Sequence, residues 1–159
     1  MKTIGIIAEY NPFHKGHEAQ LRLLRERFGP DCAIVVALGG CFTQRGEAAL
    51  FTKYARAEAA VRCGADLVLE LPLPWAASSA EGFARGGVGV LHALGCVDAL
   101  AFGSECADLG KLAKIADLTA DKAYDARLRE ALAGGGGYAA ARQKAPESLA
   151  GGALPGLDA

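Results

Sequence analysis

Short apolar runs alternate with amphipathic segments through the first two-thirds of this chain, and that alternation limits the folds open to it. Four runs have the length and continuous apolar character of buried parallel strands; they lie at residues 3–8, 32–38, 66–71 and 98–102. Three amphipathic segments between them have helical periodicity; they lie at residues 14–28, 53–63 and 78–94. Because strand–helix–strand units of this spacing pair their strands in parallel, the pattern predicts an α/β fold with a parallel sheet and flanking helices.

The pattern changes after residue 105. Short helical segments are predicted at 109–118, 120–133 and 138–144, and the run of four glycines at 134–137 predicts a flexible joint. We therefore predict an α/β core at residues 1–105, a short helical extension at 106–148 that contains the glycine-rich joint, and a disordered tail at 149–159.

Composition excludes several classes of protein. The chain has 159 residues, of which 52% are hydrophobic, and a net charge of -1, so it is neither a disordered segment nor a polybasic binder. Its five cysteines form no Cys-x-x-Cys pair, which favours free thiols in a reducing compartment over disulfides or a zinc site. The longest uncharged apolar run, residues 32–42, is far shorter than the ~20 residues of a membrane span. We predict a cytoplasmic protein that is not associated with a membrane.

The strongest chemical signal is His14-Lys15-Gly16-His17, which follows the first strand after a short turn and holds two of the three histidines. Positions three apart lie on one face of a helix, whose N-terminus attracts anions. Gly16 would let a phosphate or ribose approach the backbone. These features predict a cradle for a nucleoside triphosphate in which the imidazoles donate to phosphate oxygens. The alternatives are that both histidines only cap and pack the helix, or bind zinc, for which no third ligand is evident.

This motif lies within a longer stretch, residues 7–17, that resembles the opening of the HxGH nucleotidyltransferase superfamily. Its Glu9-to-Phe13 segment resembles one branch, the tRNA(Met) cytidine acetate ligases. Further segments agree; they lie at residues 42–47, 53–58, 64–72, 80–84 and 102–105. The resemblance extends over nearly the whole chain and implies a Rossmann-like sheet.

The resemblance also implies a reaction. In that branch acetate attacks the α-phosphate of ATP to give acetyl-adenylate and pyrophosphate, and the acetyl group passes to N4 of the wobble cytidine of elongator tRNA(Met). It implies that His14 and His17 are catalytic. We expect Mg²⁺ to accompany ATP by bridging its phosphates, and the sequence suggests no metal site of the protein's own. The residues implied to line the ATP site are Ile7, Ala8, Glu9, Tyr10, Asn11, Pro12, Phe13, His14, Lys15, Gly16, His17 and Gly103.

Four further positions are hypotheses. Arg45, in the loop after the second strand, could meet phosphate or substrate, or be a solvated loop residue. Lys53 and Arg56, on the following helix, could contact the tRNA backbone or form a solvated helical face. His92, in an apolar stretch, is predicted to be a core histidine.

Two departures from the ligase pattern affect what we expect. Cys41 stands where the family has asparagine, and the family's second nucleotide-binding motif does not occur in these residues. We therefore expect a piece of a longer ligase that binds ATP weakly and forms adenylate near background. A small-molecule adenylyl- or cytidylyltransferase, and a non-catalytic nucleotide-binding fragment, are the alternative functions.

Overall fold

A computed structural model describes residues 1–104, 107–135 and 137–152 of the chain. The residues form two units, Met1–Phe102 and Gly103–Ala159. The predicted boundary at residue 105 and the part of the predicted tail at 153–159 lie outside the described residues, so this division of the chain stays a prediction.

The first unit contains a four-stranded parallel sheet. Its strands are β1 (Thr3–Ala8), β2 (Ala33–Gly39), β3 (Leu67–Leu71) and β4 (Ala99–Ala101), in the order β3-β2-β1-β4. The register pairs Ile4 with Ile34 and with Ala99, and Val35 with Leu67. All strands are parallel because each connection returns through a helical segment. The predicted α/β fold with a parallel sheet is confirmed, and each predicted strand lies within one residue of the observed one.

Helices cover both faces of the sheet. They are α1 (Lys15–Phe28), α2 (Lys53–Arg62), α3 (Leu73–Ala76) and α4 (Ala80–Ala93). One core cluster joins β1 and β2 side chains such as Ile4 and Val36 to Leu21 of α1 and Ala60 of α2. The other joins Val35 and Ala37 to Leu91 of α4. This three-layer arrangement buries both faces of β1 and β2, which explains their unbroken apolar sequences.

Glycines let α4 approach β1 closely. A Cβ at Gly87 would lie 2.5 Å from Cγ2 of Ile7, and one at Gly86 would lie 2.3 Å from Cβ of Trp75. The intrinsic cost of glycine in a helix, up to about 1 kcal/mol each, is therefore offset by packing that no larger residue permits. His92, predicted to be a core histidine, is exposed, because the neighbouring Leu91 faces the core and successive helical residues point about 100° apart.

The second unit contains α5 (Leu109–Ala120), α6 (Tyr124–Ala133) and α7 (Tyr138–Ala150). Tyr124 and Ala145 are buried within it. Two sequence predictions are wrong here: α6 begins at Tyr124 rather than at residue 120, and α7 continues to Ala150 rather than stopping at residue 144. Gly136, within the predicted flexible joint, lies outside the described residues. None of the helices in the described part of the chain is both long and apolar enough to cross a membrane.

Candidate functional site

The strand order places the candidate site. From β1 the chain adds β2 and then β3 on one side, and β4 lies on the other side of β1. The order therefore reverses next to β1, and ligands of open α/β sheets bind beyond the carboxyl ends of the strands at such a switch point. The segment from Glu9 to His17 leaves β1 at this edge and enters α1.

The two histidines form the N-terminal cap of α1. His14 is the N-cap residue, with an extended backbone at φ −142°, and His17 is the third residue of the helix. Nδ1 of His14 accepts a hydrogen bond from the Gly16 amide at 3.1 Å, and Nδ1 of His17 accepts one from the His14 amide at 3.3 Å. The pair reproduces the reciprocal geometry of a Ser/Thr–Glu capping box. The histidines therefore do cap the helix, as the alternative interpretation has it, but the cap uses only one nitrogen of each ring, and their predicted catalytic role stays a prediction.

The capping bonds fix the tautomer of both rings. A neutral imidazole has one N–H and one acceptor nitrogen, so a ring whose Nδ1 accepts must have its proton on Nε2. The two rings stack with centroids 3.7 Å apart and planes 25° apart. Burial and the neighbouring His14 lower the pKa of His17 from its usual 6.5, which favours the neutral ring. The site therefore holds two adjacent Nε2–H donors on the first turn of a helix.

Gly16 has a packing role beside the predicted one, and close approach of a ligand to it stays a prediction. A Cβ at this position would lie 2.9 Å from Cε1 and 3.1 Å from Nδ1 of His14. The small residue therefore makes room for the imidazole ring as it bends back to cap the helix. The spacing of the motif is explained by this cap before any ligand is considered.

Tyr10 packs its ring against the ring of His17. Its side chain is 2% exposed, and its ring centroid lies 4.7 Å from that of His17 and 4.9 Å from that of Phe13. Burial raises the pKa of Tyr10 to about 12, so the phenol stays protonated. Its backbone is left-handed at φ 47°, an uncommon conformation for a large residue. The turn thus places the rings of Tyr10 and Phe13 against His17.

Side chains of the turn hold the loop that follows β2. The Gln44 amide donates to Oε1 of Glu9, and the Leu50 amide donates to Oδ1 of Asn11 at 2.7 Å. The loop is also a small hairpin, in which Phe42 and Ala48 form an antiparallel bridge. Two of the predicted ATP-lining residues therefore use their side chains to attach this loop to the site.

The remaining predicted ATP-lining residues are placed as follows. Ile7 packs under Gly87 of α4, and Ala8 packs against the core of the sheet. Pro12 and Lys15 are exposed, and Pro12 follows a cis peptide bond. Gly103 is the first residue of the second unit and directly follows Phe102. Ligand contact by these residues stays a prediction.

The three predicted substrate or tRNA residues have different surroundings. Arg45 is exposed in the hairpin loop. Lys53 is half-buried at the start of α2, 2.5 Å from Oε2 of Glu70, and both line a cavity of about 150 Å³. Arg56 is 3% exposed, so the expectation of a surface cation is wrong. Its guanidinium binds backbone carbonyls and is not available to an RNA backbone, because helix α2 packs this face against the sheet.

Acidic and thiol groups in this part of the fold do not form a metal centre. Within residues 1–104, 107–135 and 137–152, no group of three or more His, Cys, Asp or Glu side chains could hold a metal ion. Cys41 is exposed at the start of the hairpin loop. The site consists of neutral N–H donors and a helix N-terminus, which suits an anion.

Comparisons with known proteins agree with this geometry. The chain is 50% identical over 153 residues to a tRNA(Met) cytidine acetate ligase of Syntrophotalea carbinolica, covering 95% of this chain and 36% of the relative. It is 44% identical to the ligase of that name from Caldanaerobacter subterraneus, again covering 36% of the relative. The chain therefore spans about one-third of the length of the curated relatives it matches.

Solved structures match over almost the whole chain. A crystal structure of Thermotoga maritima TmcAL bound with alpha-thio ATP has a TM-score of 0.84 and 41% identity, covering 99% of this chain and 39% of that protein. The apo structure of the same protein has a TM-score of 0.85. The fold is thus that of a Rossmann-like nucleotidyltransferase. The model of the HIGH Nucleotidyl Transferase family matches residues 1–155, and the chain belongs to this family of enzymes.

Proposed function

We propose that the residues from Glu9 to His17 bind the triphosphate of ATP and promote departure of pyrophosphate. The observation that carries this proposal is the pair of Nε2–H donors of His14 and His17, fixed by hydrogen bonds to Nδ1 and stacked 3.7 Å apart. Donors that are already oriented stabilise charge developing on phosphate oxygens without reorganising during the reaction. The positive end of the α1 dipole acts in the same direction.

ATP is the nucleotide that the comparisons favour. The Thermotoga maritima structure contains alpha-thio ATP and is 41% identical to this chain over 99% of its length. Mg²⁺ fits as an ion carried by the triphosphate, because the described residues offer no cluster of carboxylates to hold it. In the proposed site the carboxylate of Glu9 binds the Gln44 amide and that of Glu70 binds Lys53, so neither is arranged as part of a metal cage.

The finer proposal is that the second substrate is acetate. The carboxylate would attack the α-phosphate, forming acetyl-adenylate and releasing pyrophosphate. N4 of the wobble cytidine of elongator tRNA(Met) would then attack the acetyl carbonyl, forming the amide and releasing AMP and a proton. This proposal rests on the names of the relatives, which are 43–50% identical to this chain. Arg45 is the remaining candidate from the sequence for a surface contact with the tRNA, because Arg56 is buried and Lys53 pairs with Glu70.

Exchange of labelled pyrophosphate into ATP tests the reaction. The assay uses this chain with acetate, formate, propionate or a phosphate monoester as the second substrate, and the Syntrophotalea carbinolica relative as the reference enzyme. We expect exchange that requires acetate: close to background with this chain, and well above background with the reference enzyme. Exchange driven by a phosphate monoester would replace the proposal with a small-molecule nucleotidyltransferase. ATP binding without exchange on any substrate would indicate a nucleotide-binding module.

A further inference from the structure

Arg56 is an unusual residue to find buried in α2. Burial of a charged group is unfavourable unless its hydrogen-bonding capacity is met. Its Nε donates to the Phe51 carbonyl at 3.1 Å, one terminal nitrogen donates to the Glu9 carbonyl at 2.5 Å, and the other donates to the Gly40 carbonyl. Burial lowers the pKa of Arg56, with opposing contributions from Cys41 and Glu9, and an arginine remains charged nonetheless.

The three carbonyls belong to two backbone segments around the candidate site, the turn after β1 and the loop between β2 and α2. Glu9 begins the turn that leads from β1 to His14. Gly40 begins the hairpin loop after β2, and Phe51 lies at its end, just before α2. A guanidinium has five donors in a rigid planar fork, so it can bind several carbonyls at once, whereas the ammonium of lysine is a point charge.

The contact with Glu9 acts on a strained position. The Glu9 carbonyl belongs to the peptide that precedes Tyr10, whose φ is 47°. A non-glycine residue in this region is strained and persists only where its surroundings impose it. Because the Tyr10 ring contacts His17 with centroids 4.7 Å apart, rotation of this peptide would move the ring that supports the histidine.

We propose that Arg56 is a positioning residue for the nucleotide site: by binding the carbonyls of Glu9, Gly40 and Phe51, it holds the histidine-bearing turn and the hairpin loop in the arrangement that accepts ATP. The inference rests on the proposed function, because it takes ATP as the ligand. It assigns Arg56 no contact with substrate.

Arg25 provides a matched control within the same domain. Its guanidinium donates to the carbonyls of Pro30 and Gly64, each at 2.9 Å, and to that of Cys32, and it pairs with Asp66 at 2.8 Å. These carbonyls precede β2 and β3, so Arg25 fixes the amino ends of the strands. Replacing either arginine by lysine removes the same kind of contact from opposite edges of the sheet.

The experiment compares wild type, Arg56→Lys and Arg25→Lys by thermal unfolding and by calorimetric titration with MgATP. We expect both variants to unfold at lower temperature and only Arg56→Lys to lose affinity, by about tenfold, as expected if the competent arrangement falls to about one-tenth of the population. Equal loss of affinity in both variants, or unchanged affinity in Arg56→Lys, would overturn the inference. No binding by wild type would overturn the proposed function and this inference with it.

Amide hydrogen exchange of the wild-type protein, with and without MgATP, keeps the test available if Arg56→Lys does not fold. The amides of Gln44 and Leu50 report on the hairpin loop, and that of Ile34 reports on the amino edge. We expect ATP to slow exchange in the turn and the loop together and to leave Ile34 unchanged. Protection confined to residues 9–17 would show that the loop is not part of the arrangement and would overturn the inference.

Discussion

The two edges of the parallel sheet use their polar side chains in different ways. At the amino edge, Oδ2 of Asp66 accepts from both Arg25 and the Ile34 amide, at 2.8 and 2.6 Å. Asp98 accepts from the Thr3 amide at 2.7 Å. These side chains form hydrogen bonds with one another and with backbone amides at the starts of the strands. At the carboxyl edge, His14 and His17 accept hydrogen bonds from backbone amides at the start of α1 through Nδ1 alone.

That difference explains why one edge can bind a ligand. A carboxylate that already binds a guanidinium and a backbone amide has little remaining capacity, and it would repel a phosphate. The carboxyl edge has instead the start of a helix and two N–H donors that the fold does not require. Polar side chains that use only part of their hydrogen-bonding capacity to stabilise the fold can also bind a ligand. A region that contains such side chains is therefore a better candidate site than one whose side chains are fully hydrogen-bonded.

Removing His14 should have the largest effect on the carboxyl edge. In the intact ligase, we expect His14→Ala to reduce pyrophosphate exchange by about 10²–10³-fold, as the loss of one oriented donor to a developing charge does. Its loss as the N-cap residue should lower the free energy of unfolding by about 1 kcal/mol. Exchange assays beside urea denaturation measure the two effects. Exchange that persists while stability falls would mean that the histidine only caps the helix.

Removing Asp66 should produce the opposite result. In Asp66→Ala the Ile34 amide and Arg25 lose their acceptor, so we expect the free energy of unfolding to fall by about 1–2 kcal/mol, a value reduced by the partial exposure of the carboxylate. The dissociation constant of ATP should stay within about twofold of wild type. A large loss of ATP affinity would show that the two edges are not independent.

Sequence patterns predicted most of the fold in the first unit because burial on both faces produces unbroken apolar strands. They missed α3, where Pro72 and Pro74 suggested a loop, although proline is compatible with the first turn of a helix. They also placed Arg56 on the surface. An arginine in an alanine-rich helix has the local pattern of a solvated face, and only the tertiary fold brings the carbonyls of Glu9 and Gly40 to it.

The candidate site was predictable in part. The histidine spacing and its place after β1 indicated the motif, since both are local in sequence. The attachment of the hairpin loop through Glu9 and Asn11 was not predictable, because it links residues 35 and 39 positions apart. The packing role of Gly16 was not predictable, because the contact of a Cβ with the His14 ring depends on the rotamer that caps the helix.

Gly16→Ala tests the packing role of this glycine, and its expected effect is smaller than that of His14→Ala. The added methyl group should displace the His14 ring and reduce ATP affinity by about tenfold, while stability changes little because alanine favours the helix. Gly89→Ala in α4 is the matched control, since a Cβ there has no atom within 4 Å. Calorimetric titration with ATP measures both variants. Unchanged affinity in Gly16→Ala would show that the site tolerates a Cβ at this position and would contradict the packing role of the glycine.

The pH dependence of stability should report the burial of His17. Because burial, followed by the charge of His14, lowers the pKa of His17 in the folded state, the unfolded chain binds a proton more readily. Its contribution to stability is therefore present above pH 6.5 and is lost as pH falls through the lowered pKa. Denaturation between pH 7.5 and 5.5 should show this loss. His17→Gln should reduce it, and a variant that leaves it unchanged would contradict the assignment.

The most direct test of the carboxyl-edge site is a titration of the ¹⁵N-labelled chain with MgATP, followed through the imidazole nitrogens. The chain has three histidines: two in the motif, and His92 near the end of α4, which leads into the amino end of β4. We expect the Nε2 signals of His14 and His17 to shift with ATP, their Nδ1 signals to keep the values of hydrogen-bonded acceptors, and His92 to remain unchanged as an internal reference. Saturable ATP binding that leaves both motif histidines unperturbed would contradict the account.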